Sequence, residues 1–217
     1  MAVIKSGATS DQWTIDPTSK AGRVTLYDAT GREISVQSKQ TFGIASSFTP
    51  PATPTDMVII EGSATKTIRM LSMVIGTTNT AAGSQQFFLI KRSTADTTGT
   101  FVSAGTPVPF DSANAAATPN RVGHFTANPG ALGTAVGTLK QVRAASTVVT
   151  PTSFAGVREI TEVEMLPHGW PTGLSPNSVL GQLVTLRGVA QTLAINFNGA
   201  ALVAGQTHFY RLMWMEE

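Results

Sequence analysis

Cysteine is absent from the 217-residue chain, and charged side chains are scarce. Without cysteine the chain forms no disulfide and offers no thiolate ligand to a metal ion. Charged residues make up 13% of the sequence, against about 25% in an average soluble domain. The 31 threonines outnumber the 28 charged residues. Because threonine favours strands, and because the lysine and glutamate that cover exposed helices are few, this composition indicates an all-β protein whose weakly charged surface meets other proteins.

The positive charge is too small and too dispersed for a nucleic-acid-binding surface. The formal net charge is +2, and the 15 lysines and arginines form no continuous basic stretch. A nucleic-acid-binding face normally clusters basic residues that neutralise phosphates. The N-terminal residues also lack the apolar segment of a secretory signal peptide. We therefore expect no nucleic-acid partner and no standard export route.

No apolar stretch is long enough to cross a membrane, which takes about 20 residues. The three main apolar runs, separated by turn-forming residues, are Met57–Ile60, Ile68–Ile75 and Phe87–Ile90. Short apolar runs between glycine-rich breaks predict strands buried on both faces. In the middle run the alternation slips by one position, which predicts a β-bulge, or a passage between two sheets, at Leu71–Ser72. We expect a central β-meander built from these runs and no membrane contact.

Further strands are predicted on both sides of this meander. Residues 23–35 predict a hairpin, and strict apolar–polar alternation predicts a strand over residues 192–198. Residues 157–166 fit both a helix and a strand, and we favour a strand that turns Glu162 and Glu164 to solvent at a sheet edge. The predicted fold class is all-β, with a β-sandwich or jelly-roll-like domain and an extended N-terminal arm and hairpin.

Composition divides the chain into three parts. Residues 1–36 are predicted to form the N-terminal arm and β-hairpin, residues 37–55 a linker rich in serine, threonine and proline, and residues 56–217 the β-sandwich domain. Within the sandwich, residues 103–137 carry many prolines and alanines, which predicts a long irregular loop of the kind that contacts partners. Isolated large apolar side chains in the first two parts are the predicted protein-interaction residues: Ile4, Trp13, Ile15, Phe42 and Phe48.

The sequence contains no pattern that predicts an active site or a metal centre. No ligand spacing connects the three histidines, which are His124, His168 and His208. Glu162 and Glu164 are near neighbours, but two carboxylates on one strand more often form a solvated edge than the facing pair of a glycosidase. Trp170 stacks on a sugar in one interpretation and packs on the core in the other. We therefore predict that the chain is not an enzyme and binds no cofactor.

Two sets of stretches resemble proteins of tailed bacteriophages. The N-terminal stretches IKSGATSD (Ile4–Asp11), TIDPTSKA (Thr14–Ala21) and RVTLYD (Arg23–Asp28) resemble a segment of bacteriophage structural proteins that precedes different downstream domains. A second set resembles a family of bacteriophage proteins of similar length and consists of Ile60–Arg69, Leu89–Thr94, Ala127–Gly133 and Leu186–Gly199. The resemblance covers most of the chain, implies a virion-anchoring N-terminal module, and brings no catalytic residue.

The resemblance implies a structural protein of a bacteriophage virion, assembled in the cytoplasm of the bacterial host. The favoured role is a capsid decoration or cement protein that contacts the major capsid protein or neighbouring virion subunits. We expect a homo-oligomer, with a trimer as the simplest choice. The alternative role is a tail, neck or fibre protein that binds a host glycan or receptor, which exposed aromatic residues near Phe110, His124 and Trp170 would favour.

Overall fold

The computed structural model describes residues 39–78, 83–146, 161–166, 183–202 and 205–217, together with the backbone of five short strands before residue 39. The chain divides into two units, Met1–Ser38 and Lys39–Glu217. Among the residues that the structure describes, no helix is long and apolar enough to span a membrane. The strands are β1 Ile4–Lys5, β2 Gln12–Ile15, β3 Gly22–Arg23, β4 Leu26–Tyr27, β5 Glu33–Ile34, β6 Gln40–Phe48, β7 Asp56–Glu61, β8 Ile68–Thr78, β9 Gly83–Arg92, β10 Thr100–Ser103, β11 Val108–Pro109, β12 Val122–Ala127, β13 Ala135–Ser146, β14 Thr161–Leu166, β15 Thr185–Leu186, β16 Thr192–Asn196 and β17 Thr207–Glu216.

The N-terminal unit, expected to hold an arm and a hairpin, contains two small antiparallel sheets. Strands β1, β2 and β3 form a three-stranded sheet in which Ile4 pairs with Trp13. Strands β4 and β5 form the predicted hairpin, with Leu26 opposite Ile34. The register thus brings Ile4 opposite Trp13, and Ile15 lies two residues farther along the same strand as Trp13.

The second unit is a β-sandwich of two antiparallel sheets, which confirms the predicted all-β fold. The first sheet has six strands in the order β10-β12-β7-β16-β9-β13. The second has the order β11-β6-β17-β8-β14, and β15 pairs with β8 outside this path. Strands β10 and β11, joined by residues 104–107, end the two sheets on one side, and β13 contacts β14 on the other. The jelly-roll arrangement stays a prediction.

The core lies between the two sheets and is built from alternate residues of each strand. Residues that pair across strands share a face of the sheet, so Val58 with Ile195, and Ile60 with Leu193, form the inner face of the first sheet. On the second sheet Trp214 is fully buried on the inner face. Each large apolar side chain contributes roughly 1.5–3 kcal/mol when it is removed from water, so these alternating residues hold the sheets together.

The three apolar runs form strands, as predicted, and correspond to β7, β8 and β9. The predicted bulge lies at Leu71, because Met213 of β17 pairs with Ser72 whereas Trp214 pairs with Met70. The extra residue reverses the alternation of side chains within β8. Since β8 runs on in the same sheet, the alternative interpretation, a passage between two sheets, is wrong.

The predicted linker over residues 37–55 is wrong, because Gln40–Phe48 forms β6. This nine-residue strand pairs along its whole length with β17. Phe42 and Phe48 belong to the hydrophobic core and are 0% and 5% exposed. They therefore hold this chain's own sandwich together and are not available for contact with another protein. Their spacing of two and four residues from Ile44 is a strand signal, but the serines between them and the prolines after them favour a loop.

The predicted irregular region, residues 103–137, is wrong in part, because it contains β11, β12 and the start of β13, whereas residues 110–121 and 128–134 are irregular as predicted. Its connections also bond to the sandwich, as where Asn120 N donates to Gly62 O at 3.0 Å. By contrast, β14 confirms the strand favoured over residues 157–166 for the part that the structure describes, residues 161–166. Glu162 and Glu164 are exposed there, at the edge of the second sheet as the described strands define it.

Candidate interaction surfaces

Charged side chains in the sandwich are buried more often than is usual for soluble proteins. Burying a charge is costly unless it is paired and hydrogen-bonded, and charged residues are rarely fully buried without a partner. In the described residues, five charged residues are at most 4% exposed: Asp56, Glu61, Arg92, Asp96 and Glu216. Their partners show what these charges do for the fold.

Arg92 and Asp56 form a buried ion pair on the outer face of the first sheet. Arg92 pairs with Thr192. Leu193, the next residue, lies in the core, and neighbouring residues of a strand point to opposite faces, so Thr192 and Arg92 point away from the core. Its guanidinium donates from Nε to Asp56 Oδ2 at 2.5 Å and from Nη2 to Oδ1 at 3.0 Å. Asn196 Nδ2 donates to Asp56 Oδ1 at 2.5 Å. Burial alone would lower the pKa of Arg92, but the hydrogen bonds and the charge of Asp56 outweigh it and raise that pKa.

Two chain segments, residues 93–100 and 128–134, form a strap across this outer face. Thr97 and Ala131 bridge the two segments. Arg92 Nη1 donates to Gly133 O at 2.6 Å, and Gly133 N donates to Asp96 Oδ1 at 2.7 Å. The strap therefore brings a second carboxylate, Asp96, to the buried ion pair, with its Oδ1 3.6 Å from Arg92 Nε. We call the area beneath it the covered face.

Asp96 is the least favourably placed charge on the covered face. Burial and the neighbouring charge of Asp56 raise the pKa of Asp96 to about 6, although the Gly133 amide and Arg92 act in the opposite direction. Among the described residues, none donates a hydrogen bond to Asp96 Oδ2. Two carboxylates share one guanidinium here, and a proton on Asp96 relieves their repulsion.

Two further buried carboxylates hold loops against the sandwich. Glu61 accepts hydrogen bonds from Arg121 Nη2 at 2.5 Å and from Asn120 Nδ2 at 2.6 Å. Glu216, near the end of β17, accepts from the backbone N of Thr118 at 2.8 Å and from its hydroxyl at 3.0 Å. These contacts fix the connection between β11 and β12, so buried charge in this protein organises loops.

Two of the three histidines are core residues. His208 is fully buried, and burial lowers its pKa to about 4. His124 stacks on Phe48, with 4.9 Å between ring centroids, and its Nδ1 lies 3.1 Å from Tyr210 Oη. His168 lies outside the described residues. Within the described ranges, no three His, Asp or Glu side chains are grouped so that they could hold a metal ion.

Large apolar side chains are exposed along both sides of the sandwich. At the β11 edge, Val108 and Phe110 are 64% and 60% exposed. At the β13 edge, Val136 and Leu139 are 64% and 42% exposed. Strand β13 is twelve residues long and pairs with β9, and no other described strand pairs with it. Exposed apolar residues on long edge strands favour association with other protein chains.

The outer face of the second sheet, which we call the open face, carries a shallow depression. Alternate residues of β6, β17 and β8 form it, with Phe209 opposite Ser47 and Arg211 opposite Ala45. Glu162 of β14 lines the same depression. The side chains of Ser47, Arg211 and Glu162 are exposed. The depression therefore combines an aromatic ring with both a cation and an anion at the surface.

The structure separates the five residues predicted to contact other proteins. Ile4, Trp13 and Ile15 lie on β1 and β2 of the N-terminal unit, and their contact role stays a prediction. Phe42 and Phe48 lie in the core of the sandwich. Trp170 lies outside the described residues. The exposed edges were missed because single valines and leucines in a strand pattern do not show which face meets solvent. Searches with the sequence and the structure find no match among protein-family models, curated proteins or solved structures.

Proposed function

We propose that this chain is a structural protein of a bacteriophage virion, a decoration protein that stabilises the capsid through protein–protein contacts. The observation that carries the proposal is the distribution of side chains. Five charged side chains are buried beneath the chain's own loops or in hydrogen bonds to them, whereas Val108, Phe110, Val136 and Leu139 are exposed on the two edges of the sandwich. Covering such edges gains apolar contact with little desolvation of charge. The sequence resemblance to bacteriophage proteins supports the virion as the setting.

The proposed partners are the major capsid protein and neighbouring copies of this chain. The β11 edge and the β13 edge lie on opposite sides of the sandwich, so contact between unlike edges of successive copies is head-to-tail. Such contacts form a ring when the rotation between copies closes, and we propose a closed trimer. Repetition of weak contacts over a shell gives avidity. The N-terminal unit, with Ile4, Trp13 and Ile15, is proposed to hold the particle surface. The chain assembles in the host cytoplasm and resides in the virion.

Incorporation into particles tests the proposed edge contacts. The double variant Val136→Thr/Leu139→Thr places strand-favouring threonine at both positions and removes the two large exposed apolar side chains of β13. We expect its copy number in purified particles to fall about tenfold, because about 1.4 kcal/mol of lost contact energy changes a binding constant tenfold. The control is Arg187→Gln, at an exposed position just after β15. Normal incorporation of the double variant would refute the edge contacts, and particles without the wild-type chain would refute the virion role.

Removal of residues 1–38 tests the proposed anchor. The remaining residues form a compact unit of their own, so we expect the truncated chain to fold and to be lost from particles. Circular dichroism of the purified truncated chain checks the fold, and quantitative mass spectrometry of particles measures incorporation. A folded truncated chain that enters particles at the wild-type level contradicts the assignment of the anchor to this unit.

A further inference from the structure

The depression on the open face is large enough for a small ligand, and the proposed edge contacts do not use it. Its volume is about 410 Å³, and it is open to solvent on one side. It lies over three long strands, β6, β17 and β8, that pair with one another continuously apart from the bulge at Leu71. The platform is therefore rigid, as a binding site requires.

The ring of Phe209 extends over its neighbour Gly76, which has no side chain to exclude it. The two residues pair across β17 and β8. A Cβ atom on Gly76 would overlap the Phe209 ring at Cε2 and Cζ, so the ring rests over the Gly76 backbone. On the other side of Phe209, the small and exposed side chain of Ser47 on β6 lines the same depression.

Two oppositely charged side chains border the ring. Arg211 follows Phe209 by two residues on β17 and therefore projects from the same face. Glu162 of β14 pairs with Gly76, directly beside the ring. The side chains of Arg211 and Glu162 form no hydrogen bond or ion pair with another described residue, in contrast to the paired charges on the covered face. The guanidinium offers several donors and the carboxylate offers acceptors, with no net charge between them.

We propose that this depression binds one pyranose unit of a neutral oligosaccharide. The apolar C–H face of the sugar ring stacks on Phe209, as apolar groups do on an aromatic face. Arg211 donates hydrogen bonds to sugar hydroxyl oxygens, and Glu162 accepts hydrogen bonds from sugar hydroxyl groups. Ser47, which also carries a hydroxyl group, pairs with Phe209 on the side opposite to Gly76 and Glu162. The inference is independent of the proposed structural role, because a decoration protein can also carry a saccharide site.

The same geometry argues against two other ligand classes. A peptide that binds by adding a strand needs a free sheet edge, but Phe209 and Arg211 lie on β17, whose backbone is paired on both sides by β6 and β8. A phosphorylated ligand needs clustered cations, but Arg211 is balanced here by Glu162. Hydroxyl groups suit this pair because each can both donate and accept a hydrogen bond.

The test uses the purified full-length chain and an array of neutral oligosaccharides built from glucose, galactose, mannose or N-acetylglucosamine. The best binder is then titrated by calorimetry against wild type, Phe209→Ala, Arg211→Gln and Glu162→Gln. We expect each substitution to weaken binding at least about tenfold, because each removes a contact to the sugar. Arg187→Gln, another exposed arginine, is the matched control and should bind as wild type does.

Thermal unfolding of every variant separates lost binding from lost folding. Arg211→Gln and Glu162→Gln change exposed groups and keep the test valid if Phe209→Ala unfolds. Three results would overturn the proposal: no neutral oligosaccharide binds at about millimolar concentration, the substitutions leave binding unchanged, or binding is confined to charged sugars. None of these results bears on incorporation into particles, which tests the structural role separately.

Discussion

The outer faces of the two sheets differ in whether their charged side chains are covered and paired or exposed and unpaired. On the covered face the strap lies across the strands and encloses the ion pair of Asp56 and Arg92. On the open face Ser47 and Arg211 are exposed, and the charges that border Phe209 have no partner among the described residues. The covered face uses its charges to fix the chain's own loops, so it is structural. The open face keeps its polar groups available, so it is the face suited to a ligand.

The largest expected difference between the two faces is the loss of stability when one arginine is removed from each. Arg92→Met leaves two buried carboxylates without their cation, and we expect the free energy of unfolding to fall by about 3–5 kcal/mol. Arg211→Met, the matched substitution on the open face, should change it by less than about 0.5 kcal/mol. Urea denaturation of both variants measures the difference. Equal losses would show that the two faces do not differ as described.

The pH dependence of stability also distinguishes the two faces, because the covered face contains the carboxyl group of Asp96, whose pKa is raised to about 6 from an ordinary 3.8. Between these values the folded state binds more protons than the unfolded state, so this contribution to stability is full below the lower value and is lost as the pH rises through the higher one. The full rise in the pKa of Asp96 corresponds to about 3 kcal/mol in the free energy of unfolding.

Asp96→Asn isolates that contribution, since the amide keeps an acceptor for Gly133 N and can donate to Asp56. We expect the wild type to lose stability relative to Asp96→Asn as the pH rises from about 4 to about 7. Urea denaturation at a series of pH values gives the difference between the two proteins. A difference that is constant across this range would contradict the assignment of the raised pKa to Asp96.

A smaller contrast comes from one glycine on each face. A Cβ at Gly133 of the strap would overlap the backbone O of Thr94, whereas a Cβ at Gly76 would overlap the movable ring of Phe209. We expect Gly133→Ala to cost about 1–3 kcal/mol and Gly76→Ala to cost less, because the Phe209 ring can swing into solvent. Thermal unfolding compares the two variants. A larger cost for Gly76→Ala would mean that Phe209 is fixed on the open face.

The smallest expected effect on stability is at the β11 edge. Phe110 is 60% exposed, so Phe110→Ser should change the free energy of unfolding by no more than about 0.5 kcal/mol. The same substitution should reduce incorporation into particles, because it removes apolar surface proposed to contact a neighbour. Incorporation at the wild-type level would exclude Phe110 from that contact.

The inner strands could be predicted from sequence because their signal is local. Runs such as Met57–Ile60 are apolar at every position, and the one-residue slip in β8 marked its bulge at Leu71. Strand β6 was missed because Phe42, Ile44 and Phe48 are separated by polar residues and followed by prolines, a composition shared with loops. Local composition therefore identified the strands buried on both faces and misjudged a strand with only one apolar face.

The candidate sites depend on contacts that no local pattern records. Asp56, Arg92 and Asn196 come from three separate strands and meet only when the first sheet has formed. The depression depends on Gly76 lying opposite Phe209, a pair separated by more than half of the chain. Such sites follow from register between distant strands, so sequence spacing alone gave no indication of them.

The position of this chain in an image reconstruction of the virus particle tests the central claim most directly, namely that the protein acts through surface contacts in a virion. We predict density for the sandwich repeated over the capsid, with the β11 and β13 edges packed against neighbouring subunits. A particle without density for this chain, or density in which both edges face solvent, would contradict the account.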